Sequence, residues 1–265
     1  MRYYLREYTG EPVTLNRYIA DTMLIQALAL ACACSHYRHR FPDCGGALIW
    51  QLNDCCGAHS WSIVDSCNIP KAAWYFVRQA FAPVAVYLEE CPANETRVWV
   101  MNHGSEVRET RLNLEIGDFF GTRVLSETNR ASLAPGESRC VRTLAAGGRF
   151  IQRDPDEPSA SILSGSCTGG RSAALRPLFR APEGFAAPCA DTGRGMGRRM
   201  VRVQTRHFAQ FVHLEGLLEG FEIEDNYFDL LPGTERILRF EDPSGQEPQA
   251  RGLHWTSRNP KEENI

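Results

Sequence analysis

The stretch GGALIWQLNDCCGAHSWSIVD, residues 45–65, contains the pattern that decides the fold class. Its apolar run ALIWQL is nearly continuous, which is typical of a strand buried on both faces of a parallel sheet. A helical pattern precedes it, with Thr14 as candidate N-cap and an end near Tyr37, and Pro70 suits the first turn of a helix over PKAAWYFVRQAF. This order of helix, buried strand, long loop and helix predicts part of a parallel α/β sheet or barrel, too small to close by itself.

Beyond Ala82, apolar residues alternate with polar ones. Short segments with a period of two are separated by turn residues, in the order VAVYLEE, TRVWVMNH, TRLNLEIGDFF and TRVLSETN. Their spacing predicts a β-sandwich of the immunoglobulin type, held by core packing because no Cys-Trp-Cys framework occurs. A second alternating region runs from 199 to about 240 and contains the turn residues Pro232-Gly233.

The composition gives no reason to expect nucleic acid or a membrane as partner. The formal net charge is -3, and the arginines are scattered among acidic residues. The longest apolar run, residues 23–34, is shorter than the about 20 residues that span a bilayer. The first residues, MRYYLREYTG, lack the apolar region of a signal peptide, which slightly favours a cytoplasmic location.

Ten cysteines raise the question of a metal or disulfide site. No C-x-x-C occurs, and no cysteine pair is matched by a histidine pair at the spacing of zinc ligands. Cys32 and Cys34 lie in a predicted helix, where residues two apart do not share a face. We therefore expect buried free thiols, no metal and no cofactor. Apart from His59, the histidines look isolated and are interpreted as surface or satisfied core residues.

Three residues at the end of the ALIWQL run are candidates for ligand binding. In a parallel barrel, residues beyond the C-terminal ends of the strands line the site. There Trp50 could stack on the apolar face of a sugar or nucleoside, while Asn53 and Asp54 could bond hydroxyl groups. The alternative is that Trp50 belongs to the core and Asp54 caps the loop, and position alone leaves the two interpretations equal.

Two further arrangements in this loop are weaker candidates for catalysis. Asp54 and Asp65 flank the loop, and glycoside hydrolysis uses two carboxyl groups, but nothing in their spacing makes them face one bond. Asp65 is instead expected to bond the loop or cap the next helix. His59 lies near Cys55 and Cys56, as a Cys-His nucleophile would require, but no third orienting residue is evident.

A resemblance to a known family favours the sugar-binding interpretation. The segments CGGALIWQLNDC, SWSIVD and PKAAWYFVRQAFAPV resemble the end of the catalytic barrel in β-mannosidases of glycoside hydrolase family 2. The segment DNYFDLLPGTERILRF resembles the signature of that family's last immunoglobulin-like domain. The resemblance covers about residues 10–125 and 198–240 and is poor across 144–197.

The resemblance implies roles for the three candidate residues. Trp50 would form the floor or wall of a mannose-binding subsite, and Asn53 and Asp54 would be rim and loop-organising residues. The family usually has Trp-Pro where this chain has Cys56-Gly57. The loss of an indole there would remove stacking area and loosen the loop.

The resemblance also implies an activity that this stretch alone would lack. Members of the family hydrolyse terminal, non-reducing β-D-mannosyl residues with retention, using one Glu as nucleophile and another as acid/base. Both glutamates precede the W-Q-L-N-D strand in the family, and neither motif occurs upstream of Trp50 here. The chain is thus expected to be an inactive fragment of a β-mannosidase, with no catalytic residue of its own.

Such a fragment would have β-mannosides or manno-oligosaccharides as substrates and an N-terminal portion of the same enzyme as partner. The alternative function is a non-catalytic carbohydrate-binding or interaction module built on the immunoglobulin-like domains. This alternative predicts measurable binding of manno-oligosaccharides without hydrolysis.

The expected fold class is mixed, with an incomplete α/β unit, the helix-strand-helix end of a TIM barrel, before mainly-β immunoglobulin-like sandwich domains. Residues 1–82 are assigned to the end of a (β/α)8 barrel and 83–145 to an immunoglobulin-like sandwich. Residues 146–197 are a poorly patterned linker or degraded strand region. Residues 198–258 are the C-terminal immunoglobulin-like domain of the β-mannosidase type, and 259–265 a disordered tail.

Overall fold

The computed structural model forms two compact units. It describes residues 2–9, 14–91, 95–118, 120–145, 161–167, 173–175, 200–206, 208–215, 222–241 and 254–256. The first unit comprises 1–49, 76–118 and 122–180, and the second comprises 50–75, 119–121 and 181–265. The predicted tail 259–265 lies outside the described residues.

The helices lie close to where their sequence signals predict them. They are α1 (Arg2–Tyr8), α2 (Leu15–His39) and α3 (Ala72–Ala80). Thr14 is the N-cap of α2, since its Oγ1 accepts a hydrogen bond from the backbone N–H of Arg17 at 3.2 Å. The predicted N-cap is therefore confirmed, and α2 extends slightly past the predicted end.

Helix α2 is long and apolar enough to cross a membrane by length and composition, although only 33% of its most apolar window is buried. It also carries a buried cation near its end. The guanidinium of Arg38 donates to the backbone carbonyl of Ala80 and, at 2.9 Å, to that of Ala82. A buried, hydrogen-bonded guanidinium is typical of a helix packed against protein. The absence of a membrane partner stays a prediction.

The prediction of a buried strand over ALIWQL is wrong for the described structure. Residues 45–49 form no strand, the side chain of Leu48 is fully exposed, and that of Trp50 is 73% exposed. A strand needs neighbours to complete its hydrogen-bond ladder, and no described strand pairs with residues 47–50. The end of the run is bonded differently, because the carbonyls of Gln51 and Leu52 accept from the backbone of Ile63 and Val64. The barrel, which would supply such neighbours, stays a prediction.

The first unit contains a β-sandwich, here called the N-terminal sandwich. One sheet has the order β1-β2-β5 and the other the order β4-β3-β6-β7, and the paired strands are antiparallel. The strands are β1 (Val84–Cys91), β2 (Glu95–Asn102), β3 (Arg108–Asp118), β4 (Arg123–Leu133), β5 (Glu137–Ala145), β6 (Ser161–Cys167) and β7 (Ala173–Leu175). The first four match the segments that alternate in the sequence.

The core of the N-terminal sandwich comes from the apolar positions of that alternation. It includes Val98 and Val100 of β2 and Leu112 and Leu114 of β3, all completely buried. Side chains on a strand point to opposite faces in turn, so one face of each sheet supplies this core.

Strands β6 and β7 differ from the sequence expectation for 146–197. That region shows few strand patterns, yet Ser161–Cys167 pairs with β3 from Leu112 to Asp118. The segment SILSGSC is rich in small polar residues, so its pairing depends on backbone hydrogen bonds offered by β3 rather than on its own apolar pattern. The other residues of 146–197, apart from β7, lie outside the described residues.

The second unit contains a smaller sandwich, here called the C-terminal sandwich. Its sheets have the orders β10-β12-β8 and β11-β9-β13. The strands are β8 (Met200–Gln204), β9 (Ala209–Glu215), β10 (Glu222–Ile223), β11 (Phe228–Leu230), β12 (Glu235–Glu241) and β13 (His254–Thr256). The predicted turn at Pro232-Gly233 is present, with Gly233 at a φ of 70° and Thr234 N–H bonded to the Leu231 carbonyl at 3.1 Å.

The core of the C-terminal sandwich includes a residue from α3. Tyr75 is 2% exposed and packs with core residues of both sheets, among them Val203, Val212 and Leu238. Its ring also lies 5.8 Å from that of Tyr227, measured between centroids. The aromatic start of α3 is therefore a structural part of the second unit.

Candidate functional site

The loop after Trp50 is folded back on itself by backbone hydrogen bonds. Val64 N–H donates to the Leu52 carbonyl at 2.9 Å, and Asp54 N–H donates to the Val64 carbonyl at 3.1 Å. At the end of the loop, Lys71 N–H donates to the Ile63 carbonyl at 2.9 Å. These bonds place Leu52 and Lys71, which are 19 residues apart along the chain, on the two sides of the segment Ile63–Val64.

Asp54 is the charged centre of this loop. Its side chain is buried, with one carboxylate oxygen accepting from Ser60 Oγ and the other lying 2.5 Å from Lys71 Nζ. The same ammonium donates to Ser62 Oγ at 2.7 Å, and the two hydroxyl oxygens of Ser60 and Ser62 lie 3.1 Å apart. Both oxygens of Asp54 therefore have partners inside the protein, which is the arrangement expected of a loop-organising residue.

The hydrogen bonds from Lys71 and Ser60 lower the pKa of Asp54 to about 2, from an ordinary value of 3.8. Both donors stabilise the charged form of the carboxyl group. Asp54 is therefore a carboxylate at neutral pH, and a role as general acid would need the opposite shift.

The loop should lose stability in acid through Asp54. Because the folded pKa lies below the ordinary one, the contribution of Asp54 is present above pH 3.8 and is lost as pH falls towards about 2. We expect Asp54→Asn to lower the midpoint of thermal unfolding at pH 5 and to differ progressively less from wild type down to pH 2.5. Asp43→Asn, at an exposed position, controls for the removal of one negative charge. A gap between wild type and Asp54→Asn that stays constant with pH would contradict this assignment.

The other two predicted site residues remain accessible. Trp50 is 73% exposed, so the alternative in which it belongs to the core does not describe this structure. The peptide bond between Trp50 and Gln51 is cis. Asn53 is exposed as well, and its Nδ2 donates to the Asp54 carbonyl at 3.2 Å. The structure thus places Trp50 and Asn53 where a ligand can reach them, next to a buried Asp54.

Asp65 has the structural role expected for it. Its Oδ1 accepts from the backbone N–H groups of Cys67 and Ile69, both at 2.8 Å. These bonds close a turn between Asp65 and the start of α3. The expectation that Asp65 bonds the loop is confirmed.

The thiols of this loop do not have the surroundings of an activated nucleophile. Cys55 and Cys56 are free and exposed, and the hydrogen bond to Cys55 raises the pKa of the Cys56 thiol. Activation would require the pKa to fall. The expectation of buried thiols is wrong for most of the described cysteines, because only Cys34 among them is buried. Cys32 is exposed on the other side of α2, as the helical spacing predicts.

Sequence reasoning missed the partners of Asp54. Ser60 and Ser62 lie in SWSIVD and alternate around Trp61, so an extended backbone turns both hydroxyls to one side. Lys71 follows Pro70, and nothing in the spacing shows that it returns to Asp54. One feature of the sequence could have singled out Lys71. Lysine is rare in this chain, where arginine supplies most of the positive charge.

The first comparison with known proteins concerns the domain class of the C-terminal sandwich. Residues 191–257 match the immunoglobulin-fold domain of mannosidases. This match includes β8 to β13 and agrees with two packed sheets of short antiparallel strands.

Curated relatives extend the relation towards the N-terminus. A β-mannosidase B from Thermothelomyces thermophilus is 24% identical over 249 residues, which cover 84% of this chain and 29% of that protein. A β-mannosidase B from Aspergillus terreus is 34% identical over 114 residues, covering 42% of this chain and 13% of that protein. The chain therefore spans less than a third of the length of these relatives. It is similar in sequence to these β-mannosidases, and the predicted resemblance to that family is confirmed.

Solved structures show the same fold over nearly the whole chain. A β-D-mannosidase from Dictyoglomus thermophilum matches with a TM-score of 0.80 and 22% identity, covering 97% of this chain and 31% of that one. An exo-chitosanase from Amycolatopsis orientalis matches with a TM-score of 0.72 and 14% identity, covering 98% of this chain and 36% of that one. At these identities the likeness concerns the fold.

Proposed function

We propose that these residues provide the last unit of the catalytic barrel and the C-terminal immunoglobulin-like domains of a retaining β-mannosidase of glycoside hydrolase family 2. The observation that carries the proposal is the relation to β-mannosidases over 84% of the chain. The substrates would be β-mannosides or manno-oligosaccharides, and no nucleic acid or membrane is involved.

Trp50 would form one wall of the mannose subsite. An indole offers a flat apolar face to the C–H groups of a sugar ring, and it contributes most when the loop that carries it is fixed before binding. The ion pair between Asp54 and Lys71 holds this loop in place. Asn53 would then donate its amide to a sugar hydroxyl at the rim of the subsite. Asp54 would contribute indirectly, by holding the neighbouring residues in position.

The hydrolysis itself needs two carboxyl groups about 5–5.5 Å apart in a retaining enzyme. The buried, lysine-paired Asp54 and the turn-forming Asp65 are both committed to structure, so neither is assigned a catalytic role. A polypeptide made of these 265 residues is therefore expected not to hydrolyse β-mannosides. A catalytic portion supplied by other residues would provide both glutamates.

A chimeric enzyme tests this function. The chain would replace the matching 31% of the Dictyoglomus thermophilum β-D-mannosidase, and turnover of a chromogenic β-mannoside would be measured. We expect the chimera to be active and Trp50→Ala to lower its kcat/KM by about tenfold, the value of one aromatic contact. Trp61→Ala is the matched control, because Trp61 lies in the same loop with nearly equal exposure, 72% against 73%. Equal losses for both variants would contradict the role of Trp50.

Activity and binding measurements on the unfused chain distinguish this proposal from the alternative of a non-catalytic binding module. It should give no turnover above buffer, and turnover that survives a second purification would refute the assignment of catalysis to other residues. Calorimetric titration with manno-oligosaccharides should show at most weak binding, since one wall alone buries little of the sugar. Tight binding by the unfused chain, lost on Trp50→Ala, would favour the non-catalytic module instead.

A further inference from the structure

A cluster of potential metal ligands lies where α2 meets the N-terminal sandwich. His36 and His39 lie three residues apart on α2, and Glu89 lies on β1. One donor atom from each of the three side chains lies within 4.8 Å of the other two. The rings of His36 and His39 are 5.1 Å apart between centroids, and His39 Nε2 lies 3.8 Å from Glu89 Oε1. The sequence interpretation of these histidines as isolated is therefore wrong.

His39 is buried without a partner for one ring nitrogen. Its side chain is only 8% exposed, and Nδ1 has no hydrogen-bond partner among the described residues. The ring lies near those of Tyr87 and Trp99, with centroid distances of 5.4 Å and 4.9 Å. A buried imidazole usually has both nitrogens satisfied, and a metal ion bound to the ring would satisfy one of them.

Glu89 is oriented towards the histidines by a hydrogen bond on its other side. Trp99 Nε1 donates to Glu89 Oε2 at 2.8 Å, which leaves Oε1 facing His39. Outer partners of this kind are typical of carboxylates that bind metals, because they fix the direction of the free oxygen.

An ion pair between His39 and Glu89 is the simpler explanation, but its geometry is poor. The distance of 3.8 Å between His39 Nε2 and Glu89 Oε1 is too long for a hydrogen bond. A metal ion bound between the two side chains would bond to the lone pair of a neutral imidazole.

We infer that His36, His39 and Glu89 form a binding site for Zn²⁺, with water in the fourth position. Two imidazoles and one carboxylate are a known ligand set for this ion, and imidazole disfavours Mg²⁺ and Ca²⁺. A tetrahedral ion with bonds of about 2.1 Å requires ligand atoms about 3.4 Å apart. Small side-chain rotations would bring the three donors from within 4.8 Å to that spacing.

The bound ion would connect α2 to β1 within the first unit. Two ligands come from the last turns of α2 and the third from the first strand of the N-terminal sandwich. Zinc binding should therefore raise the thermal unfolding temperature of this unit, because the ion binds the folded arrangement only.

The test is a zinc titration of the full chain carrying Cys55→Ser and Cys56→Ser. These two exposed thiols could bind zinc adventitiously, and their removal leaves the proposed site intact. After treatment with a chelator, competition with a chromophoric zinc indicator should show one Zn²⁺ bound per chain. No stoichiometric binding by this background protein would overturn the proposal.

Single substitutions identify the ligands. His39→Gln and Glu89→Gln should each weaken zinc binding on the order of 100-fold and abolish the rise in unfolding temperature. His59→Gln, at an exposed position in the second unit, is the matched control and should change neither. Equal affinities for the Glu89 variant and the control would overturn the site.

Cobalt substitution keeps the proposal testable if a ligand variant fails to fold. Co²⁺ bound to the background protein should show the intense visible bands of a four-coordinate ion with nitrogen and oxygen ligands. A sulfur-to-cobalt charge-transfer band in the near ultraviolet would instead assign the metal to Cys32 or Cys91, which lie near Tyr87. That result, or the weak bands of a six-coordinate ion, would overturn the assignment.

Discussion

Replacing Asn102 by alanine should lower the free energy of unfolding of the N-terminal sandwich by about 3 kcal/mol. Asn102 is completely buried at the end of β2. Its Nδ2 donates to the carbonyls of Glu106, Leu133 and Ala134 at 2.8, 3.0 and 3.2 Å, and its Oδ1 accepts from Gly104 N–H at 3.0 Å. Alanine would remove all four bonds, of which the one to the Leu133 carbonyl is buried, and an unsatisfied buried group costs about 1–3 kcal/mol.

The matched control is Asn129→Ala on β4, where the side chain is exposed. It should change the free energy of unfolding by less than about 0.5 kcal/mol. Urea denaturation followed by tryptophan fluorescence, to which Trp99 on β2 contributes, measures both variants of the same sandwich. If both substitutions lowered the free energy of unfolding equally, the side-chain hydrogen bonds of Asn102 would not stabilise the sandwich.

Alternating sequence predicts the strands well because one face of each sheet is buried. In β2, Thr96, Val98 and Val100 are buried, whereas Arg97 is exposed and Trp99 is half-buried, as a period of two requires. The same logic does not find β6, whose sequence SILSGSC has too weak an apolar alternation to distinguish it from a loop. There the pairing partner β3 decides the structure, and a partner 43 or more residues away leaves no local signal.

The run ALIWQL shows the same limit in the opposite direction. Its sequence is that of a buried strand, yet the described residues give 47–50 no ladder partner, and Leu48 and Trp50 are exposed. The apolar residues of a segment indicate that it tends to be buried. They do not ensure that it forms a strand, because a strand also requires neighbours that supply hydrogen bonds.

For the candidate site, sequence predicts the residue types better than their contacts. The position of Trp50, Asn53 and Asp54 after an apolar run was sufficient to single them out. Trp50 is exposed, whereas Asp54 is buried and paired with Lys71. The sequence does not reveal this pair, because Lys71 lies 17 residues further along the chain. Likewise, His39 and Glu89 are 50 residues apart, so no spacing rule for metal ligands could connect them.

Replacing Tyr75 by alanine should destabilise the C-terminal sandwich by about 3 kcal/mol. The ring is 2% exposed and packs on Val203, Val212 and Leu238, so its removal leaves a large cavity in a small core. Protein interiors are close-packed, so neighbouring side chains such as Phe228 can fill only part of this cavity. Urea denaturation followed by the fluorescence of the adjacent Trp74 is the measurement.

Tyr37→Ala on α2 is the control, because Tyr37 is 45% exposed and should contribute less than about 1 kcal/mol. Tyr75→Phe separates packing from the hydroxyl group and should retain most of the stability. If Tyr75→Ala and Tyr37→Ala cost the same, α3 would not be part of the C-terminal core. If the expected difference is found, the loop from Trp50 to Lys71 leads directly into a residue of that core. The C-terminal sandwich would then support the candidate sugar-binding loop through Tyr75, four residues beyond the lysine that pairs with Asp54.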